Sequence, residues 1–100
     1  MSNHKMDDAF TRWDELRGNL TILFRDKNFN RSDYMEQGIQ LLESILAEVE
    51  DAAPINFSER FAFIQNNKQN HTAFRQLDEL FKETKKKNAR LRVQNTQKRE

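Results

Sequence analysis

Cysteine is absent from this 100-residue chain. That excludes a disulfide framework, a thiolate nucleophile and every zinc site built on cysteine sulfur, and it makes a reducing compartment the natural setting. Glycine occurs twice and proline once, so tight turns and phosphate-cradling loops have few places to form. Long apolar runs are missing too. Nowhere do about 18 apolar residues stand together, and the opening MSNHKMDDAF has no charged segment followed by an apolar one. The chain therefore reads as a cytoplasmic protein without a membrane span.

Catalytic vocabulary is equally thin. The two histidines are His4 and His71. His4 stands four residues before Asp8 but too near the terminus for an ordered metal site. His71 sits near an expected helix start, where an imidazole is more often a surface side chain than a general base. The carboxylate pairs Asp7–Asp8, Asp14–Glu15 and Asp78–Glu79 are sequence neighbours. On a helix such neighbours point about 100° apart, so they read as solvated charge and not as residues converging on a substrate. No Gly-rich phosphate loop, nucleophile elbow or H-E-x-x-H motif occurs. The sequence predicts neither an enzyme nor a bound cofactor or metal.

What the chain does have is 33% charged and 36% hydrophobic residues, including ten aromatics. This is the composition of a small all-α domain with one modest core. Met6, Ala9, Trp13, Leu16, Leu20 and Leu23 follow a 3-4-3-4-3 spacing, flanked by Phe10 and Phe24, which predicts a helix over about 5–27. Gly18 falls inside it and reads as tolerated. In KNFNRSDY, Asn30 is the expected N-cap of a second helix, with Asp33 at N3 and Phe29 and Tyr34 placed as a hydrophobic staple. That helix carries Met35, Ile39, Leu42, Leu46 and Val49 to about Ala52. Pro54 then interrupts, and Asn56 with Glu59 reads as a capping box opening a short third helix over about 57–66. Phe57, Phe61 and Ile64 share its inner face. Asn70 or Thr72 caps a fourth helix, on which Phe74, Leu77, Leu80 and Phe81 face inward before the apolar seam fades toward Thr84 and Asn88.

Charge is divided unevenly. Residues 1–81 hold nine basic and fourteen acidic side chains, a net −5, whereas residues 82–100 hold eight and two, a net +6. Lys82, Lys86 and Arg90 recur every four residues and form one basic stripe, with Lys85, Lys87 and Arg92 beside it. No aromatic is interleaved for base stacking, so any nucleic acid held here is held through its phosphates and without sequence preference. An acidic protein or anionic lipid is the other occupant such a stripe suits, but the favoured reading is a solvated or intramolecular role, since basic residues near a helix C-terminus complement the helix dipole.

The stretch INFSERFAFIQNNKQNHTAFRQLDELFKETKKK, residues 55–87, carries a family likeness. Its short F-x-E-R-F-x-F-I helix, polar turn with Asn70 and His71, and following A-F-R-Q-L-D-E-L-F resemble the YpoC-like family of small Firmicute proteins. The resemblance implies a bacterial, cytoplasmic, helical protein and assigns no activity to particular residues.

The expected architecture is all-α: a small bundle of about four helices, three long and one short. Residues 1–84 are read as a single helical domain and 85–100 as a basic, partly frayed C-terminal extension. The core expected from the spacing is Trp13, Leu16, Leu20, Leu23, Ile39, Leu42, Leu46, Phe57, Phe61, Ile64, Phe74, Leu77 and Phe81. The expected function is a non-enzymatic protein-interaction module whose partner is a protein, a homodimer included, with Phe29, Tyr34 and Phe63 as the candidate partner surface. The alternative is a nucleic-acid-associated accessory protein binding phosphates through Lys82, Lys85, Lys86, Lys87, Arg90 and Arg92. The shared inner face of the third helix makes one stability prediction. Phe61→Ala should cost about 3–5 kcal/mol, most of the stability of a domain this small. A marked fall in the urea midpoint is expected, and an unchanged midpoint would place that helix outside the core.

Overall fold

Amphipathic spacing becomes helix almost throughout. The computed structural model describes residues 2–98, with side chains described for 7–92. Among these residues the chain forms α1 (Ser2–Arg25), α2 (Arg31–Glu48), α3 (Phe57–Asn66) and α4 (His71–Lys98), with a 3-10 turn at Glu50–Ala52 and no strand. The all-α expectation of three long helices and one short one holds. The side chains of His4 and Met6, and the last residues of the basic extension, lie outside the described residues.

The helix ends sit near their expected positions but are built differently. After α1, Lys27 takes a left-handed φ of 55°. The Asn28 N–H then donates to the Leu23 carbonyl at 2.9 Å and the Lys27 N–H to that of Phe24 at 3.3 Å. This is the double closure of a Schellman motif, with lysine where glycine is usual. Asn30 does stand at the N-cap of α2, but in helical geometry (φ −65°, ψ −10°) and without a side-chain cap bond. A capping side chain needs a non-helical backbone to reach the first N–H groups, and the preceding turn has removed it. The side chain that does bond here is that of Asn28, whose Oδ1 accepts the Asn30 N–H at 2.8 Å. Phe29 is 81% exposed, so the expected staple with Tyr34 does not form.

The capping box at α3 is also not made. Asn56 is left-handed (φ 56°, ψ 33°) and its side chain caps nothing; asparagine tolerates that region better than most residues. The Arg60 guanidinium holds the entry to α3 by donating to the Ile55 carbonyl at 3.0 Å. Upstream, α2 ends at Glu48, and Ala53 is extended (φ −63°, ψ 132°), as the residue before a proline prefers. At α4 the sequence expectation succeeds: Asn70 Oδ1 accepts the Thr72 N–H at 2.8 Å.

α4 is the spine. It packs against α1, α2, α3 and the 3-10 turn, and it runs antiparallel to α1, since Trp13 meets Asp78 while Phe24 meets His71. Phe10, Trp13, Leu16, Leu20, Met35, Ile39, Leu42, Ile45, Phe61, Ile64, Ala73, Phe74, Leu77, Leu80 and Phe81 form one buried cluster, with Leu46 and Phe57 packed partly exposed against it. Leu23 is half-buried at its margin. Beyond Phe81 the inward positions stay buried although they turn polar: Thr84 is inaccessible and Asn88 nearly so. The Thr84 hydroxyl is satisfied within its own helix, donating to the Leu80 carbonyl at 2.7 Å.

The two glycines play opposite parts. A Cβ at Gly18 would meet nothing within 4 Å, whereas one at Gly38 would lie 2.6 Å from Trp13 Cζ3 and 3.1 Å from Leu77 Cδ2. The indole thus rests on the bare backbone of α2. Replacing an open helical glycine by alanine stabilises by about 0.5–1 kcal/mol, while overpacking a core costs about 1–3 kcal/mol. Gly18→Ala should therefore raise the melting temperature and Gly38→Ala should lower it. Thermal unfolding of the two variants checks both signs, and a rise for both would remove Trp13 from the α1–α2 contact.

Candidate functional site

The structure sorts the six basic residues of the α4 stripe by what they touch. Lys82 Nζ lies 3.3 Å from Asp78 Oδ2 and 3.9 Å from Glu79 Oε2. Lys85 Nζ stands 5.8 Å over the Phe10 ring, and Lys87 Nζ donates to the Ala53 carbonyl at 2.8 Å. Arg92 Nη2 is 3.7 Å from Asp7 Oδ1. Lys86 and Arg90 are exposed. The lysine run is thus neither a free arm nor wholly used up within the fold: it decorates one long helix, and part of it ties that helix to α1 and to the turn before Pro54.

Two carboxylates on α4 are structural, which the sequence did not disclose. Asp78, with its side chain 19% exposed, accepts the Trp13 indole N–H at 3.0 Å and lies 3.5 Å from Arg17 Nη1. One turn and a half later, Glu83 accepts two hydrogen bonds from Arg60, Nη1 to Oε1 at 3.0 Å and Nη2 to Oε2 at 2.7 Å. That bidentate clasp fastens α3 to α4. It holds the Glu83 carboxyl below the ordinary carboxylate range, with Lys87 and Lys86 adding to the effect, and raises the Arg60 guanidinium in turn. Between α2 and the α3–α4 connection, Lys68 bonds Glu36 and lowers its carboxyl likewise. The trace that could have revealed Asp78 is physical: a buried indole N–H requires an acceptor, and the facing helix had to supply it.

Of the three aromatics read as a partner surface, one is held against the core and two are exposed. Tyr34 packs against the core, whereas Phe29 is 81% and Phe63 40% exposed. Phe29 tops the α1–α2 turn, close to the α3–α4 connection, because Arg31 Nε donates to the Gln69 carbonyl at 3.1 Å. Phe63 lies one turn before Asn67, whose Nδ2 donates to its carbonyl at 2.8 Å. Ile22, 49% exposed, is in the last turns of α1. His71 stacks edge-on against Phe24, with ring centroids 5.5 Å apart, so it serves an aromatic cluster at this same end of the bundle. Among the described residues no group of three His, Asp or Glu side chains is arranged to hold a metal ion, and no helix is long and apolar enough to cross a membrane.

A family model described as YpoC-like protein matches residues 3–96, far beyond the stretch 55–87 on which the likeness was first seen. The chain belongs to the YpoC-like family. No curated protein and no solved structure matches it. The matched span contains α1 and α2 as well as α3 and α4, so the Trp13–Gly38 contact and the Arg60–Glu83 clasp both fall within the region that defines this YpoC-like chain. One polar groove between α1 and α2 is lined by Arg12, Glu15, Asn19, Tyr34 and Gln37, and another follows Gln65–Asn70. Neither gathers carboxylates or an imidazole on a common point.

The lowered carboxyl of Glu83 gives a pH dependence with a definite sign. A folded-state value below the unfolded one means stability that is present above the ordinary carboxylate range and is lost as pH falls through the lowered folded value. Both partners are partly solvated, so the contribution is screened to no more than about 1 kcal/mol. Glu83→Gln should melt below the parent at pH 7, and the two curves should converge on acidification below about 4.5, the ordinary glutamate value. A gap that persists at pH 2 would mean that the clasp acts through packing and not through charge.

Proposed function

We propose that this YpoC-like chain is a non-enzymatic protein-interaction module that engages its partner through Phe29. The observation that carries the reading is a phenylalanine 81% exposed on a turn that is held from several sides. The Schellman closure fixes its N-terminal side, and the Asn28–Asn30 bond spans it. On its C-terminal side Arg31 donates to the Asn28 carbonyl at 2.8 Å and to Gln69. A backbone held this way loses little freedom on binding, which lowers the cost of using its exposed ring as an interface anchor.

The size of the feature says what kind of partner fits. One ring offers roughly 150–250 Å² of contact, against about 1,200–2,000 Å² buried in a stable interface. Phe29 is therefore an anchor for a concave apolar pocket and not the centre of a flat self-paired face. Among the described residues, the groove from Arg12 to Gln37 and the one along Gln65–Asn70 are lined mainly by polar side chains, which suits neither to a phenyl ring and favours a different protein over a second copy. Arg25, Lys27 and Arg31 against Asp26 and Asp33 leave a small positive excess around the turn, which favours an acidic rim on that pocket.

A photo-cross-linking phenylalanine analogue placed at position 29, with the exposed Ala47 position as control, tests the reading in the native cell. A discrete adduct from position 29 alone is expected, at a mass other than twice the 12.0 kDa chain. With the recovered partner, Phe29→Asp should weaken binding at least tenfold without moving the melting temperature. Equal adducts from both positions, or none, overturn the proposal, and an adduct of twice the chain mass replaces the foreign partner with a second copy.

A further inference from the structure

At the opposite end of α4 from the Phe29 turn, we infer a second binding surface: the outer face from Lys82 through Lys86 to Arg90, which takes the phosphate backbone of duplex nucleic acid. The four-residue interval sets these three side chains about 6 Å apart along one side of a single rigid helix. Lys86 and Arg90 are exposed and make no hydrogen bond or ion pair among the described residues. The intramolecular contacts of their neighbours cancel little charge. Lys85 meets a ring face and Lys87 a carbonyl, both neutral, so each keeps its full positive charge. Lys82 and Arg92 do face carboxylates, but across distances of 3.3–3.9 Å and with about half of each side chain exposed. The pairs to Glu79 and Asp7, exposed on both sides, are worth about 0–1 kcal/mol and yield readily to a competing anion. Glu83, the one acid within the stripe, is turned to Arg60 by two hydrogen bonds.

The chemistry of the face selects among polyanions. Among the described residues the large exposed apolar side chains are Ile22, Phe29, Ile55 and Phe63, and none of them lies between Lys82 and Arg90. A protein interface needs an apolar centre inside its polar rim, and a helix lying on a lipid surface needs an apolar face to insert. This face has neither. Nor does it expose an aromatic for base stacking, which removes the main source of single-strand affinity. What remains is a row of cations matched to a regular row of phosphates, the backbone term of duplex binding.

The double variant Lys86→Gln/Arg90→Gln isolates this surface, because neither side chain makes a hydrogen bond or ion pair among the described residues and their loss should move the melting temperature little. Fluorescence anisotropy of the full chain is read with a labelled duplex, a labelled single strand and polyglutamate of matched charge, at low and at physiological salt. For the duplex, a dissociation constant on the order of 10⁻⁴ to 10⁻⁶ M at physiological salt is expected, tightening more than tenfold at low salt. In the double variant binding weakens and the slope of log K against log salt falls by about two. Phe29→Asp leaves duplex binding unchanged, so this surface and the Phe29 anchor stand or fall separately. Duplex binding equal in the double variant and the parent overturns the inference, as does no duplex binding at low salt. Polyglutamate or single strand held as tightly as the duplex overturns it as well.

Discussion

The contact on which the rest depends is the seating of Trp13. Its indole lies against the bare backbone at Gly38, stacks on Phe81 with centroids 4.2 Å apart and planes within 8°, and spends its one polar atom on Asp78. Three helices are fixed by one side chain in this way. A tryptophan supplies the largest apolar area of any residue but also an N–H that must not be left unpaired. The fold meets both demands by giving the ring a glycine to approach and a carboxylate at its rim. The close approach of α1 and α2 and the register of α4 against both follow from the same placement.

From that centre outward the packing changes character along α4. Around Phe74, Leu77 and Phe81 it is apolar and aromatic, whereas past Phe81 buried threonine and asparagine take over and the surrounding contacts include ion pairs, bonds to carbonyls and Lys85 over the Phe10 ring. The Arg60–Glu83 clasp sits at the transition, where it fastens the short α3 that could not be held by its own length. The same helix thus supplies the core with Ala73, Phe74, Leu77, Leu80 and Phe81 and the surface with a basic face. The two never compete, because the 3.6-residue period keeps them on different sides.

Much of this was legible in the sequence. The 3-4 spacing of Trp13, Leu16 and Leu20, and of Phe74, Leu77 and Phe81, located α1 and α4, and the single proline marked the break before α3. Helix ends were located but misread: Asn30 and Asn56 have capping side chains by type, yet their backbones are helical and left-handed. The capping rule assumes a geometry that the neighbouring turns had already altered. Gly38 was not legible, because nothing in its local sequence says that a ring from another helix will press on it. Asp78 looked like one of several solvated pairs for the same reason. Of the two surfaces, the basic row could be read from its spacing, but which of its charges remain unpartnered could not. Phe29 reads from the sequence both as half of a local staple and as part of a partner surface, and its exposure on the turn decides against the staple.

The polar seam beneath the distal half of α4 has a dynamic consequence. Amide hydrogen exchange proceeds through local openings whose free energy follows the apolar contact each segment would lose. Thr84 and Asn88 supply little of that, so the helix between them should open at a lower free energy than the segment around Trp13. The row from Lys82 to Arg90 spans that stretch of helix. Its cations are spaced for a polyanion only while the stretch is closed, so whatever occupies the row slows exchange in the distal helix and leaves the amides beside Trp13 as they were.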